Sequence, residues 1–165
     1  MIIKMYQTTL EATENNNYDE VVRLHEAGAP WDWKVKATAA KLGNLEILQY
    51  AHTHGMEYWP PFTTTWAAEG GQLDCLIFAR SNGCPWRNTT SELASQNGHL
   101  HVVEYLLHNG CPVESPCIAY AAKNGHLSVV KFLVENNITL HPYAITWATQ
   151  NHHDEVVTYI QSLSK

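Results

Sequence analysis

Ten histidines and four cysteines are the residues of this 165-residue chain that could ligate a metal or serve as nucleophiles. Their spacing argues against both uses. His99, His126 and His153 recur every 27 residues, and His25 and His52 stand the same distance apart. Equivalent positions on stacked helices lie about 8–10 Å apart. Zinc ligands must come within about 2 Å of the metal, so one such column cannot close a site by itself. His52-x-His54 beside His25 is the one loose metal-binding arrangement. Cys84 and Cys111 are also one interval apart, too far for a disulfide, whose Cα atoms lie within about 7 Å. Cys111 and Cys117 share a turn and could approach each other, whereas Cys75 falls in a column of Ile and Val as a small core residue. No Cys-x-x-Cys, Gly-x-Ser-x-Gly, phosphate loop or His-Glu-x-x-His occurs. The expectation is a protein without catalytic residues, metal or cofactor. His99 and His126 are expected to hydrogen-bond the turn between two helices.

Charge narrows the partners. Lys and Arg number 10 against 16 Asp and Glu, a net −6 that would become +4 were every His protonated. An acidic chain with no basic run suits neither a phosphate backbone nor an anionic membrane surface. No stretch of 18 apolar residues could span a bilayer. Met1 to Tyr6 is too short and too soon polar for a signal peptide, so the thiols read as reduced and the setting as cytoplasmic. With 45% hydrophobic and 10% aromatic residues, the chain can bury a substantial core.

The elements that position these residues are repeats. Asn16, Gly43, Gly71, Gly98, Gly125 and His152 form one column, at intervals of 27, 28, 27, 27 and 27. Gly28, Gly55, Gly83, Gly110 and Asn137 form a second. Each unit reads as two short helices. The first carries a small-residue pair such as Ala39-Ala40, Ala67-Ala68 or Ala121-Ala122, which lets helices approach closely. The second shows apolar residues on one broad helical face, as in Leu127 to Val134. Both columns hold residues that tolerate positive φ. A lone hairpin of this size cannot bury its apolar face, so the units must stack.

The predicted organisation is a single all-α array over residues 1–165, with units at 6–32, 33–60, 61–87, 88–114, 115–141 and 142–165. Glu20, Arg23 and Asp154 put polar groups where inner units are apolar, so the first and last units read as caps of a complete array. A ladder of Trp31, Tyr58, Trp86, Val113 and Leu140 reads as core packing in the turns. Trp33, Trp59 and Phe62 lie outside that ladder, in the turns after the first and second units, the second of which holds Pro60, Pro61 and the one inserted residue. Aromatic rings outside a core pattern are candidate interaction anchors.

Asn-Gly-His-Leu-x-Val-Val at Asn97 and Asn124, with a small-residue pair before it and Asn-Gly after Leu107, resembles the ankyrin repeat. Asn82-Gly83-Cys84-Pro85-Trp86 looks like the short, Trp-rich ankyrin repeats of giant DNA viruses and protists. The usual Thr-Pro-Leu-His opening is absent, and the aligned residues are Thr89 to Glu92 and Pro116 to Ala119. The residues missing from a standard repeat fall where the family has a β-hairpin finger, so a short turn is expected and the solenoid should be all-helical. The resemblance implies a concave groove lined by Lys41, Leu42, Glu69, Gly70, Gln96, Asn97, Lys123, Asn124, Gln150 and Asn151. It implies an unidentified protein partner held on that groove and on the turn surface, with no nucleic acid, membrane or small-molecule substrate. A monomer is expected. The alternatives are a structural or self-associating repeat protein, such as a homodimer burying the Trp33, Trp59 and Phe62 patch, and a His-based metal- or pH-responsive protein.

Overall fold

The computed structural model describes residues 6–60 and 62–163. Pro61 and the first five residues of the N-terminal stretch considered as a leader lie outside them. Among the described residues there are twelve α-helices and no strand. In chain order they are α1 (Thr9–Glu14), α2 (Tyr18–Glu26), α3 (Val35–Leu42), α4 (Leu45–Thr53), α5 (Thr63–Glu69) and α6 (Leu73–Ser81). Then follow α7 (Asn88–Gln96), α8 (Leu100–His108), α9 (Ser115–Lys123), α10 (Leu127–Glu135), α11 (Ala144–Gln150) and α12 (Asp154–Ser162). Odd and even helices pair as antiparallel hairpins. The chain forms two compact units, Met1–Pro85 and Trp86–Lys165, each holding three hairpins.

Both columns of turn residues adopt the backbone that their residue types suggest. Asn16, Gly43, Gly71, Gly98, Gly125 and His152 all have positive φ, between 55° and 78°. So do Gly28, Gly55, Gly83, Gly110 and Asn137. In place of a finger, six to nine residues without a described strand join each even helix to the next odd one.

Packing follows the sequence pattern. The alanine pairs of α3, α5 and α9 are fully buried, and within each unit the odd helices pack closely on one another. The even helices bury one face each, for example Val102, Val103 and Leu106 on α8 and Val129, Val130 and Leu133 on α10. Burying such a side chain contributes about 1.5–3 kcal/mol. Even helices approach each other less closely than odd ones. Within a unit the odd helices therefore line the inner, concave side, and open notches remain between the even helices.

Helix ends are closed by a repeated device. The side-chain amide of Asn97, Asn124 or Asn151 donates to the carbonyl four residues back, at 2.8–2.9 Å. Asn82, Asn109 and Asn136 do the same at the even helices, and His54 Nδ1 lies 2.9 Å from the Tyr50 carbonyl in the equivalent place. Each of these carbonyls also accepts the backbone N–H of the same residue, so the side chain adds a second contact that fastens the helix end.

Candidate functional site

The odd helices position the predicted groove residues. In the first unit Lys41 and Glu69 form an ion pair at 2.8 Å, and the Lys41 ammonium lies 6.0 Å from the centre of the Trp66 ring. Leu42 beside them is exposed, and Gly70 fits so closely under the Lys41 carbonyl that a Cβ would collide with it. In the second unit Gln96 is half-buried while Lys123 and Gln150 are exposed. Asn97, Asn124 and Asn151 are exposed too, but each spends a donor on its own helix end, which gives it a structural duty apart from any partner.

Sequence reasoning missed the apolar half of this surface. Thr38 precedes Ala39-Ala40, but the residue before the later small-residue pairs is Trp66, Leu93, Tyr120 or Trp147, and all four are half-buried. Its regular spacing was the available signal. In the second unit Trp147 lies 6.0 Å from Tyr120 and stacks with Tyr143 and His141 at 5.9 and 6.2 Å. The Lys123 ammonium sits 5.7 Å from the Trp147 ring centre, within cation–π range.

The turn patch needs correction. Trp59, assigned outside the ladder, is its true member, and Tyr58, assigned to the ladder, is 59% exposed. Trp31 donates to the His54 carbonyl at 2.8 Å and stacks on His25 at 4.4 Å. Trp59 repeats that arrangement, donating to the Asn82 carbonyl at 2.7 Å and packing on His52 at 4.8 Å. The inserted residue is therefore Glu57, which shifts the register by one before the ladder position. Trp33 and Phe62 do project, at 52% and 43% exposure, with Lys34 5.5 Å from the Trp33 ring centre. The ladder is also less buried than expected, since Leu140 is exposed and Trp31 and Trp86 are half-buried.

Lys36 was not singled out from the sequence. It is buried and donates to the carbonyls of Met56 and Tyr58. Its ammonium also lies 3.0 Å from His52 Nδ1 and 4.1 Å from the centre of the Trp59 ring. Burial pushes its pKa down to about 8, while nearby Cys84 acts in the opposite direction. At the matching positions, Thr9, Thr64 and Ser91 donate hydroxyls to the carbonyls of Pro30, Pro85 and Pro112. Lys36 does this work for the one turn that is a residue longer.

His126 and His153 reach the helix ends that lead into the inter-helix turns of the preceding hairpins. His126 Nε2 lies 2.9 Å from the Gln96 carbonyl and His153 Nε2 lies 3.0 Å from the Lys123 carbonyl, each in the preceding hairpin. These rings are mortar between hairpins. Among the described residues no three His, Cys, Asp or Glu side chains gather as a metal site. Cys111 Sγ faces the Arg87 carbonyl and Cys117 Sγ faces Ser91 Oγ, so the two thiols that share a turn point to different partners. Burial raises the pKa of the Cys75 thiol to about 11 and shifts Cys84 and Cys117 upward, which disfavours the reactive thiolate.

Residues 91–164 match the family model for ankyrin repeats, in three copies. The match supports an ankyrin-repeat protein. No curated protein matches the chain. The three hairpins of the matched segment are α7–α8, α9–α10 and α11–α12. The fold is all-α and built from ankyrin-like helical hairpins. Ankyrin repeats are generally protein–protein interaction modules, and the family is typically non-catalytic. No helix among the described residues is long and apolar enough to cross a membrane.

Proposed function

We propose that the chain binds a partner protein through the inner faces of its hairpins and performs no chemistry of its own. The carrying observation is a row in each unit taken by itself, Trp66, Lys41 and Glu69 in the first and Tyr120, Lys123, Trp147 and Gln150 in the second. Half-buried rings, half-buried Glu69 and the exposed polar groups of Lys41, Lys123 and Gln150 stand there beside buried alanines. A rigid surface of this kind loses little ordering entropy on association. Leu42, Gln96, Asn97, Asn124 and Asn151 flank the row and complete the surface on this reading. The N-terminal hairpins are ankyrin-like repeats on the same reading, and the Trp-bearing 27-residue period keeps the likeness to viral and protist repeats, with a cytoplasmic setting.

The test is affinity purification from the native cell with wild type and with Trp147→Ala, Lys123→Glu and Lys41→Glu. Loss of the same partner in these variants, with helical content unchanged, supports the reading. Folded groove variants that retain every partner overturn it. Exposed Trp33 and Phe62 favour a second reading, self-association through the turn surface. Sedimentation of wild type and a Trp33→Ala/Phe62→Ala double variant separates the two: we expect monomers in both, and a wild-type dimer lost in the variant would favour self-association.

A further inference from the structure

The outer side of the hairpins carries a surface that the groove reading does not use. Between α2 and α4 lies an open notch of about 310 Å³, lined by Tyr18, Glu46, Gln49, Tyr50, Thr53 and His54. The Tyr18 and Tyr50 rings meet edge to face, with centres 5.9 Å apart. Tyr50 has its hydroxyl pKa raised by burial and then by the Glu26 carboxylate, which places a second acid near this notch. No Lys or Arg lines it.

The second unit contains the same notch between α10 and α12, of about 570 Å³. A shift of 109 residues superposes Tyr50 on Tyr159, Glu46 on Glu155 and Glu26 on Glu135. The electrostatic setting repeats, since burial and then Glu135 raise the Tyr159 hydroxyl pKa. There the chain supplies its own cation: the Lys131 ammonium lies 5.5 Å from the centre of the Tyr159 ring. The residue matching Lys131 is Val22, and the residue matching Leu127 is Tyr18. The first notch thus has two rings more, Tyr18 and His54, the latter stacked on Tyr50 with centres 4.0 Å apart, and lacks the internal cation.

We infer that the α2/α4 notch receives a lysine or arginine side chain from a partner protein, in the role that Lys131 fills within the α10/α12 notch. Two tyrosine rings and two carboxylates complement such a cation, and a carboxylate rim adds steering toward basic segments. This surface is separate from the inner groove, so either reading can fail without the other.

The test is an NMR titration of the full chain with capped pentapeptides Gly-Ser-X-Ser-Gly, where X is arginine, lysine or citrulline, and with spermidine. We expect the arginine and lysine peptides to shift Tyr18, Glu46 and Tyr50, and the citrulline peptide to leave them unmoved. Val22→Lys should weaken binding about fivefold or more by installing the internal cation. Lys131→Val should create a second set of shifts at Glu155 and Tyr159. Both substituted positions are on helix surfaces, and far-UV circular dichroism checks the fold. The inference is overturned by equal shifts with citrulline, by shifts with spermidine alone, or by folded Val22→Lys and Lys131→Val variants that behave as wild type.

Discussion

A Cβ added at Gly98 would meet His126 Nδ1 at 2.5 Å, whereas one added at Gly110 meets nothing within 4 Å. Both residues have positive φ, 73° and 77°. Left-handed backbone costs a non-glycine residue about 1–2 kcal/mol, so Gly110→Ala should lose that much and no more. Gly98→Ala should lose more, and His126→Ala in the same chain should recover the excess, as measured by urea denaturation. The glycine column and its positive φ were legible in the sequence, because residue type reports backbone directly. The destination of the histidine ring was not, because it lies in a neighbouring hairpin. Lys36 was hidden for a related reason: a lone lysine in a helix of ordinary composition gives no sign of burial. Its folded pKa of about 8 is below the ordinary lysine value, so the buried charge costs stability fully below pH 8. That cost fades as pH rises from about 8 toward 10.5, the unfolded value. The buried thiols, with raised pKa, act the other way over the alkaline range. We therefore expect the stability difference between wild type and Lys36→Met to change in favour of wild type from pH 7.5 to 9.5, by denaturation at each pH.

At the scale of the element, the second hairpin shows how a turn and a helix are matched. Three helices hold their turns with a hydroxyl aimed 21 residues ahead, at Pro30, Pro85 and Pro112. Glu57 lengthens one turn, and Lys36 reaches 20 and 22 residues ahead to hold it. Lys36→Thr should leave buried carbonyls without donors, at about 1–3 kcal/mol in thermal or urea unfolding. Deleting Glu57 in that variant should restore most of the loss, because the turn regains the length its neighbours have. A double-mutant cycle reads this coupling. The one-residue insertion was visible as an interval of 28, but its place was not: Tyr58 and Trp59 are adjacent aromatics, and either could fill a ladder position. Only the shared contacts of Trp31 and Trp59, an indole donating to a carbonyl and a ring packed on histidine, distinguish them.

At the scale of the whole molecule, stability resides in interfaces between neighbouring hairpins rather than in one central core. Leu133→Ala removes a fully buried side chain from the second unit and should cost about 2–5 kcal/mol. Hydrogen exchange should show the loss spread over α9 to α12, because each hairpin depends on those beside it. The repeat made this architecture legible, since 27 residues suffice for two short helices and little else. The proposed binding surface was only half legible: polar positions after the alanine pairs stood out, while Trp66, Tyr120 and Trp147 before them drew no attention, because a ring before a buried pair has no polar signature. The pairing of Gly98 with His126, of Gly125 with His153, and of Gly43 with Gln72 has a further meaning. Within each compact unit a hairpin carries a socket for its successor, and the sockets differ in shape. Asn16 meets Asn44 through a side-chain hydrogen bond of 2.8 Å, while the later joints seat an imidazole against bare backbone. Duplicated modules that have diverged in this way are no longer exchangeable, and their order along the chain is inherited as a set of private fittings.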